Sequence, residues 1–168
     1  RIIMIGIYGN DINVGYGSFG GWDIFGPERI ITRAKGNVLY ELDGKPALSI
    51  YKDYLGTKAE GLPLSGLLFP LQVTIESPDG LDYVIRNLIG VNEEDGGLVF
   101  AAGDMVEGAS VRMMKGNFDR LVEGANRAAN MSLVNIQQPI ELAFLVSCMG
   151  RRMVLKDRVA EEIDAARE

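Results

Sequence analysis

Residues 143–152 read Ala-Phe-Leu-Val-Ser-Cys-Met-Gly-Arg-Arg: an apolar run of strand length stops at Ser147 and the chain's single cysteine, Cys148, then turns through Gly150 into Arg151 and Arg152. Cationic neighbours lower a thiol's pKa, which is how nucleophilic and redox-sensing cysteines are made. A nucleophile also needs a base, and a guanidinium cannot accept a proton at neutral pH. The chain contains 0 histidines, so no Cys/His dyad can form within it. The alternative for Cys148 is a small buried residue at a strand end. The arginines offer other chemistry: a guanidinium beside turn amides clamps a carboxylate through two parallel hydrogen bonds. Arg151 is therefore a candidate ligand group, with Ser147 or the amides after Cys148 to orient what it holds. Pairing of Arg151 or Arg152 with Glu161 or Glu162 is the structural alternative. Arg86 stands amid Tyr83-Val84-Ile85 and Leu88-Ile89, in a strand whose alternate positions face inward. A guanidinium buried there requires a carboxylate, supplied by Asp104 or by a ligand.

Other motifs carry less. Gly15-Tyr16-Gly17-Ser18-Phe19-Gly20 has the letters of a dinucleotide fingerprint. That mechanism needs a helix opening directly after the glycines, its amides aimed at a pyrophosphate. Gly21, Trp22, Gly26 and Pro27 follow instead, so the stretch reads as a turn cluster. Glu93-Glu94-Asp95 lies in a polar turn without the spacing of a calcium loop. The remaining carboxylates are scattered, and no metal site is expected.

Several elements would position these groups. Arg1–Tyr8 reads as a buried strand, followed by a glycine-laden loop from Asn10 to Gly26. Residues 28–33 and 37–42 are β-rich, and Pro46–Leu55 forms a helix with Ala47, Ile50, Tyr51, Tyr54 and Leu55 on one face. Residues 67–76 and 82–89 bracket the turn Ser77-Pro78-Asp79-Gly80 as a hairpin, and Ala109–Lys115 is a further strand. Asn117 caps a helix reaching about Asn130. Ile140–Cys148 lacks alternation, the pattern of a strand covered on both faces, and a last helix takes Lys156–Arg167. Hairpins followed by helix, strand and helix predict an α+β fold, a largely antiparallel sheet with helices packed on it.

Bulk properties narrow the function. The 168 residues suffice for one proper core. A formal net charge of −6 argues against wrapping nucleic acid or adsorbing to anionic membrane. No apolar stretch approaches the roughly 20 residues of a spanning helix. No secretory signal is visible in Arg1–Gly6, and a lone cysteine fits a reducing compartment. A cytoplasmic protein with neither nucleic acid nor membrane as partner is expected.

Taken in order, Gly20-Gly21-Trp22, the run from Gly36 to Leu48 with Tyr51 and Tyr54-Leu55-Gly56, Leu68-Phe69-Pro70-Leu71, the Arg86 strand, Phe100-Ala101-Ala102-Gly103-Asp104, Glu107-Gly108 and Ser147–Arg152 resemble FIST proteins over nearly the whole chain. The resemblance implies two parts: residues 1–36 as the tail of a FIST N-terminal domain, and residues 37–168 as a FIST C-terminal domain whose pattern continues past Glu168. It further implies an intracellular, non-enzymatic sensory domain that binds a small ligand. Amino acids have been proposed as ligands for the family. The output partner would be a signalling protein such as a histidine kinase or a cyclic-dinucleotide enzyme. Some members are described as haem-based nitric oxide sensors; with no histidine, no cofactor is expected in this chain. The ligand-binding candidates are Arg86, Asp104, Ser147, Cys148 and Arg151. The alternative from the residues alone is a cysteine- or carboxylate-dependent hydrolase.

Overall fold

A computed structural model describes residues 4, 6–77 and 80–167. It shows the α+β class: eight strands, every pairing antiparallel, with helices against them. The strands are β1 (Trp22–Lys35), β2 (Val38–Leu42), β3 (Lys45–Pro46), β4 (Leu71–Ser77), β5 (Gly80–Arg86), β6 (Leu88–Asn92), β7 (Gly97–Phe100) and β8 (Ser110–Gly116). Their order across the sheet is β5-β4-β8-β1-β2-β7-β6, with β3 beside β2. The 14-residue β1 organises the whole. Its first part, Trp22 to Ile30, pairs with β8, and its last part, Ile31 to Lys35, pairs with β2. The β8 register slips between Ile24 and Glu28, where Pro27 has no N–H to give the ladder.

The run expected as one strand over 82–89 is cut at Asn87. β5 and β6, one residue apart in sequence, lie at opposite ends of the strand order. The sheet therefore curls until its two ends meet at Asn87, whose carbonyl accepts a 2.8 Å hydrogen bond from the Ala101 N–H. Inside the curl, Ile31, Leu39, Leu71, Val73, Leu88, Leu98, Phe100 and Val111 pack against helix α1 (Ala47–Leu55) in one core. Pro46 precedes α1 and Gly56 ends it, as their chemistry predicts. The α1 face presents Ala47, Ile50, Tyr51 and Leu55 to the core. The buried Tyr51 hydroxyl donates to the Phe69 carbonyl at 2.6 Å, and burial pushes this phenol's pKa well up.

Helix α2 (Phe118–Leu133) starts at Asn117, whose side chain accepts from the Arg120 N–H at 3.3 Å. The helix expected over 156–167 is a 3-10 turn (Lys156–Arg158) followed by α4 (Val159–Ala165). A further helix that was not expected, α3 (Met149–Leu155), precedes it, the two divided where Lys156 takes a left-handed φ of 52°. Leu121 of α2 and Val154 and Leu155 of α3 form a second, smaller cluster with Trp22 and the Leu64–Leu68 turn.

Three expectations are corrected. Of the opening strand expected over 1–8, the described residues Met4 and Gly6–Tyr8 belong to no strand and are exposed; 1–3 and 5 lie outside the described residues, as do Pro78-Asp79 of the hairpin turn. Residues 140–148, expected as a strand covered on both faces, belong to no strand and are exposed. The run has strand composition but no neighbour on either side among the described residues. Cys148 is consequently exposed and fills no core.

The glycine cluster is neither a nucleotide loop nor a loose turn. Residues 15–21 lie along α2, so close that a Cβ on Gly15 would stand 1.8 Å from the Ser132 carbonyl oxygen and one on Gly17 1.9 Å from that of Ala128. A Cβ on Gly124 would stand 2.3 Å from the Gly20 carbonyl oxygen. Alternate residues of an extended chain advance about 6.6 Å, and every fourth residue of a helix about 6 Å. Gly15 and Gly17 therefore meet the small-residue row Gly124, Ala128 and Ser132 nearly in step.

Candidate functional site

An open trough of about 2910 Å³ runs among the β5 edge, α2 and the segments 7–21 and 138–148. Small-molecule sites usually occupy about 300–1,000 Å³, so a small ligand would use only part of it. Arg86, Ser147, Cys148 and Arg151 all line the trough. Asp104 does not, and lies exposed on the loop after β7.

The two arginines differ sharply in what surrounds them. Arg151, on α3, donates through Nη1 to the carbonyls of Phe19 (3.0 Å) and Gly20 (2.9 Å), and through Nη2 to that of Leu121. Its charge is balanced by Glu162 of α4 at 2.7 Å, the two side chains being only 12% and 11% exposed. The other Glu162 oxygen lies 3.5 Å from the Ser147 hydroxyl, which donates to it. Arg151 thus fastens the glycine segment to α2 and α4. The pairing with Glu162 was legible from sequence; the three carbonyls were not, because they belong to backbone more than a hundred residues away or on another helix.

Arg86 closes β5. Among the described residues it joins no ion pair, and its Nε is buried without a hydrogen-bond partner. The pairing with Asp104 weighed from sequence is not formed. What meets the guanidinium instead is bare backbone. A Cβ on Gly103 would stand 2.8 Å from Arg86 Nη2, and Gly103 holds a φ of +122° after Ala102 at +65°. Two consecutive residues at positive φ, the first not a glycine, make a strained turn held by its surroundings. Here the Ala101 N–H bonds to Asn87, the Met105 N–H to the Gly36 carbonyl (2.8 Å) and the Asn37 side chain to the Phe100 carbonyl (2.8 Å). Glycine at 103 lets that loop approach the guanidinium so closely, a role the sequence reading missed.

Cys148 precedes α3, and its carbonyl accepts from the Arg152 N–H at 3.0 Å. Among the described residues, no group of three or more His, Cys, Asp or Glu side chains is placed to hold a metal ion. A separate hollow of about 170 Å³ on the sheet face is lined by Glu28, Gln72, Thr74, Asp82 and Arg112. Its cation is already paired, Arg112 to Glu28 at 2.7 Å.

Comparison with protein families gives the class. A FIST C domain model matches residues 47–168 and a FIST N domain model matches residues 1–45. The chain belongs to the FIST family, whose domains are sensory, typically non-catalytic modules found in signalling proteins. No significant match is found to a curated protein or to a solved structure. Among the described residues no helix is long and apolar enough to cross a membrane.

Proposed function

We propose that this chain is the intracellular input part of a signal-transduction system and binds a small anionic or zwitterionic ligand, such as an amino acid, at Arg86. The observation that carries the reading is the Arg86 guanidinium: sheltered, lacking an acid partner among the described residues, with its Nε unsatisfied and backbone pressed against one side. Burying a charge without a partner is costly, and a carboxylate taking two of its N–H groups would offset that cost. Asp104, which lies outside the trough, is left out of the proposed site. Ser147 and Cys148 face the ligand from the opposite wall. Arg151, whose charge is met by Glu162 and whose Nη1 and Nη2 are taken up by that carboxylate and three carbonyls, shapes that wall rather than binding. The bound ligand would favour one conformation of the trough, read out by a histidine kinase or a cyclic-dinucleotide enzyme.

A thermal-shift screen of amino acids and small carboxylic acids tests the idea. A ligand at about 100 times its Kd adds about 2.7 kcal/mol, or about 5–10 °C in a chain of this size. Arg86→Ala should abolish the shift while the far-ultraviolet spectrum stays native, and Arg86→Lys should restore part of it. A shift of unchanged size in Arg86→Ala would remove Arg86 from the site.

A further inference from the structure

Two unpaired features face the same trough. β5 is the end strand of the sheet, hydrogen-bonded only to β4, and its Leu81 and Tyr83 are exposed. Across from it, residues 140–147 run without a turn or bend and with no proline or glycine, and Leu142, Phe144 and Val146 lie open to solvent, the last at 96% exposure. An open edge and an exposed apolar strand are each unfavourable alone, and each is what the other lacks.

We propose that residues 140–147 add to the free edge of β5 as a ninth, antiparallel strand, closing the trough. Charge selects the register. β5 offers Arg86 as its single cation, and the segment carries one charge, Glu141. Antiparallel pairing with Glu141 opposite Arg86 places Leu142 opposite Ile85, Phe144 opposite Tyr83 and Val146 opposite Leu81, three apolar pairs on one face. On the other face Ala143 meets Val84, and Leu145 beside Asp82 is the single mixed pair. The parallel alternative with the same charge pair sets Pro139 against Val84 and Gln138 against Tyr83, spending a proline inside a ladder. The seven residues of β5 and the eight of the segment are matched in length. The added strand makes Glu141 an internal stand-in for a ligand carboxylate, so a bound anion and the ninth strand compete for Arg86. That competition rests on the ligand reading above; the strand addition does not.

The test uses the full chain in a Cys148→Ser background carrying Tyr83→Cys with Phe144→Cys. Directly opposed Cβ atoms lie about 4.5–5.5 Å apart in an antiparallel pair, close to disulfide geometry, and the opposite-face pair Tyr83→Cys with Leu145→Cys does not. Under mild oxidation at low protein concentration, the in-register pair should form an intrachain disulfide roughly tenfold faster than the control, and Glu141→Gln should erase most of that difference. Equal rates, no disulfide, or disulfides formed only between chains would overturn the proposal, the last assigning the edge to a second copy. Inorganic phosphate, as a probe anion, should slow the in-register disulfide relative to chloride at equal ionic strength. A fast in-register disulfide that ignores phosphate keeps the strand and ends the competition.

Discussion

The Arg151–Glu162 pair is the structure's most exacting prediction. Arg151→Ala removes a guanidinium that satisfies one carboxylate and three carbonyls, and leaves Glu162 about nine-tenths buried without its counter-charge. Breaking a buried pair from one side costs about 3–5 kcal/mol, against a whole-domain stability of about 5–15 kcal/mol. The three carbonyls lose charge-assisted bonds as well, but water can reach them once the side chain is gone, so their cost does not simply add. Glu162→Gln is milder, since the carbonyls still hold the guanidinium, and about 1.5–3 kcal/mol is expected. A double-mutant cycle should return a coupling of about 1–3 kcal/mol. Trp22, the only tryptophan, packs in the small cluster that holds Leu121, whose carbonyl accepts from Arg151, so urea unfolding followed by its fluorescence reports directly. Chymotrypsin adds a local measure, because Tyr16 and Phe19 lie in the segment that Arg151 fastens, and their cleavage should accelerate in both variants. Should Arg151→Ala unfold within about 0.5 kcal/mol of the parent, the range of an ordinary surface change, with no gain in cleavage, the pair holds nothing and the assignment fails.

Further outcomes follow from single contacts. Gly17→Ala must push the segment off the Ala128 carbonyl and should cost about 1–3 kcal/mol by overpacking; Gly20→Ala, whose Cβ would sit 3.4 Å from Trp22 Cδ1, should cost far less in the same urea assay. The Asp43 carboxyl is held below its ordinary 3.8 by the Ile30 N–H first and Arg29 second. Its contribution is therefore complete above about pH 4 and lost as pH falls through the lower folded value, and Asp43→Asn should flatten that part of the stability–pH curve. The exposed Cys148 should react with one equivalent of a thiol reagent in the native state, and protection until unfolding would return it to the core.

Much of the fold was legible because its local signals agree. Pro46 and Gly56 bracket α1, Asn117 caps α2, and the turn residues 77–80 between the β-rich runs 67–76 and 82–89 announce a hairpin. The misreadings arise where tertiary context decides. Nothing local in residues 82–89 says that Asn87 turns a corner between two ends of one sheet. Residues 140–148 have the composition of a buried strand, and burial needs partners that composition does not supply. Residues 15–21 copy a phosphate-loop pattern because close approach to a helix backbone and close approach to a phosphate both demand glycine. At the candidate site, Arg86 and Arg151 stood out as cations in apolar settings. Which of them the chain neutralises itself depends on Glu162 and on carbonyls distant in sequence, and only coordinates bring those together.

The long first strand has an implication for how such modules travel between genes. Its two edges are shared out, one to Ser110–Gly116 and the other to Val38–Leu42, while the family models hand over between residues 45 and 47. A gene fragment cut at that seam would strip the later strands of a neighbour and bare raw ladders to aggregation. The unit that evolution tallies and the unit that folds are offset by some twenty-five residues: a transplantable piece has to start no later than Trp22.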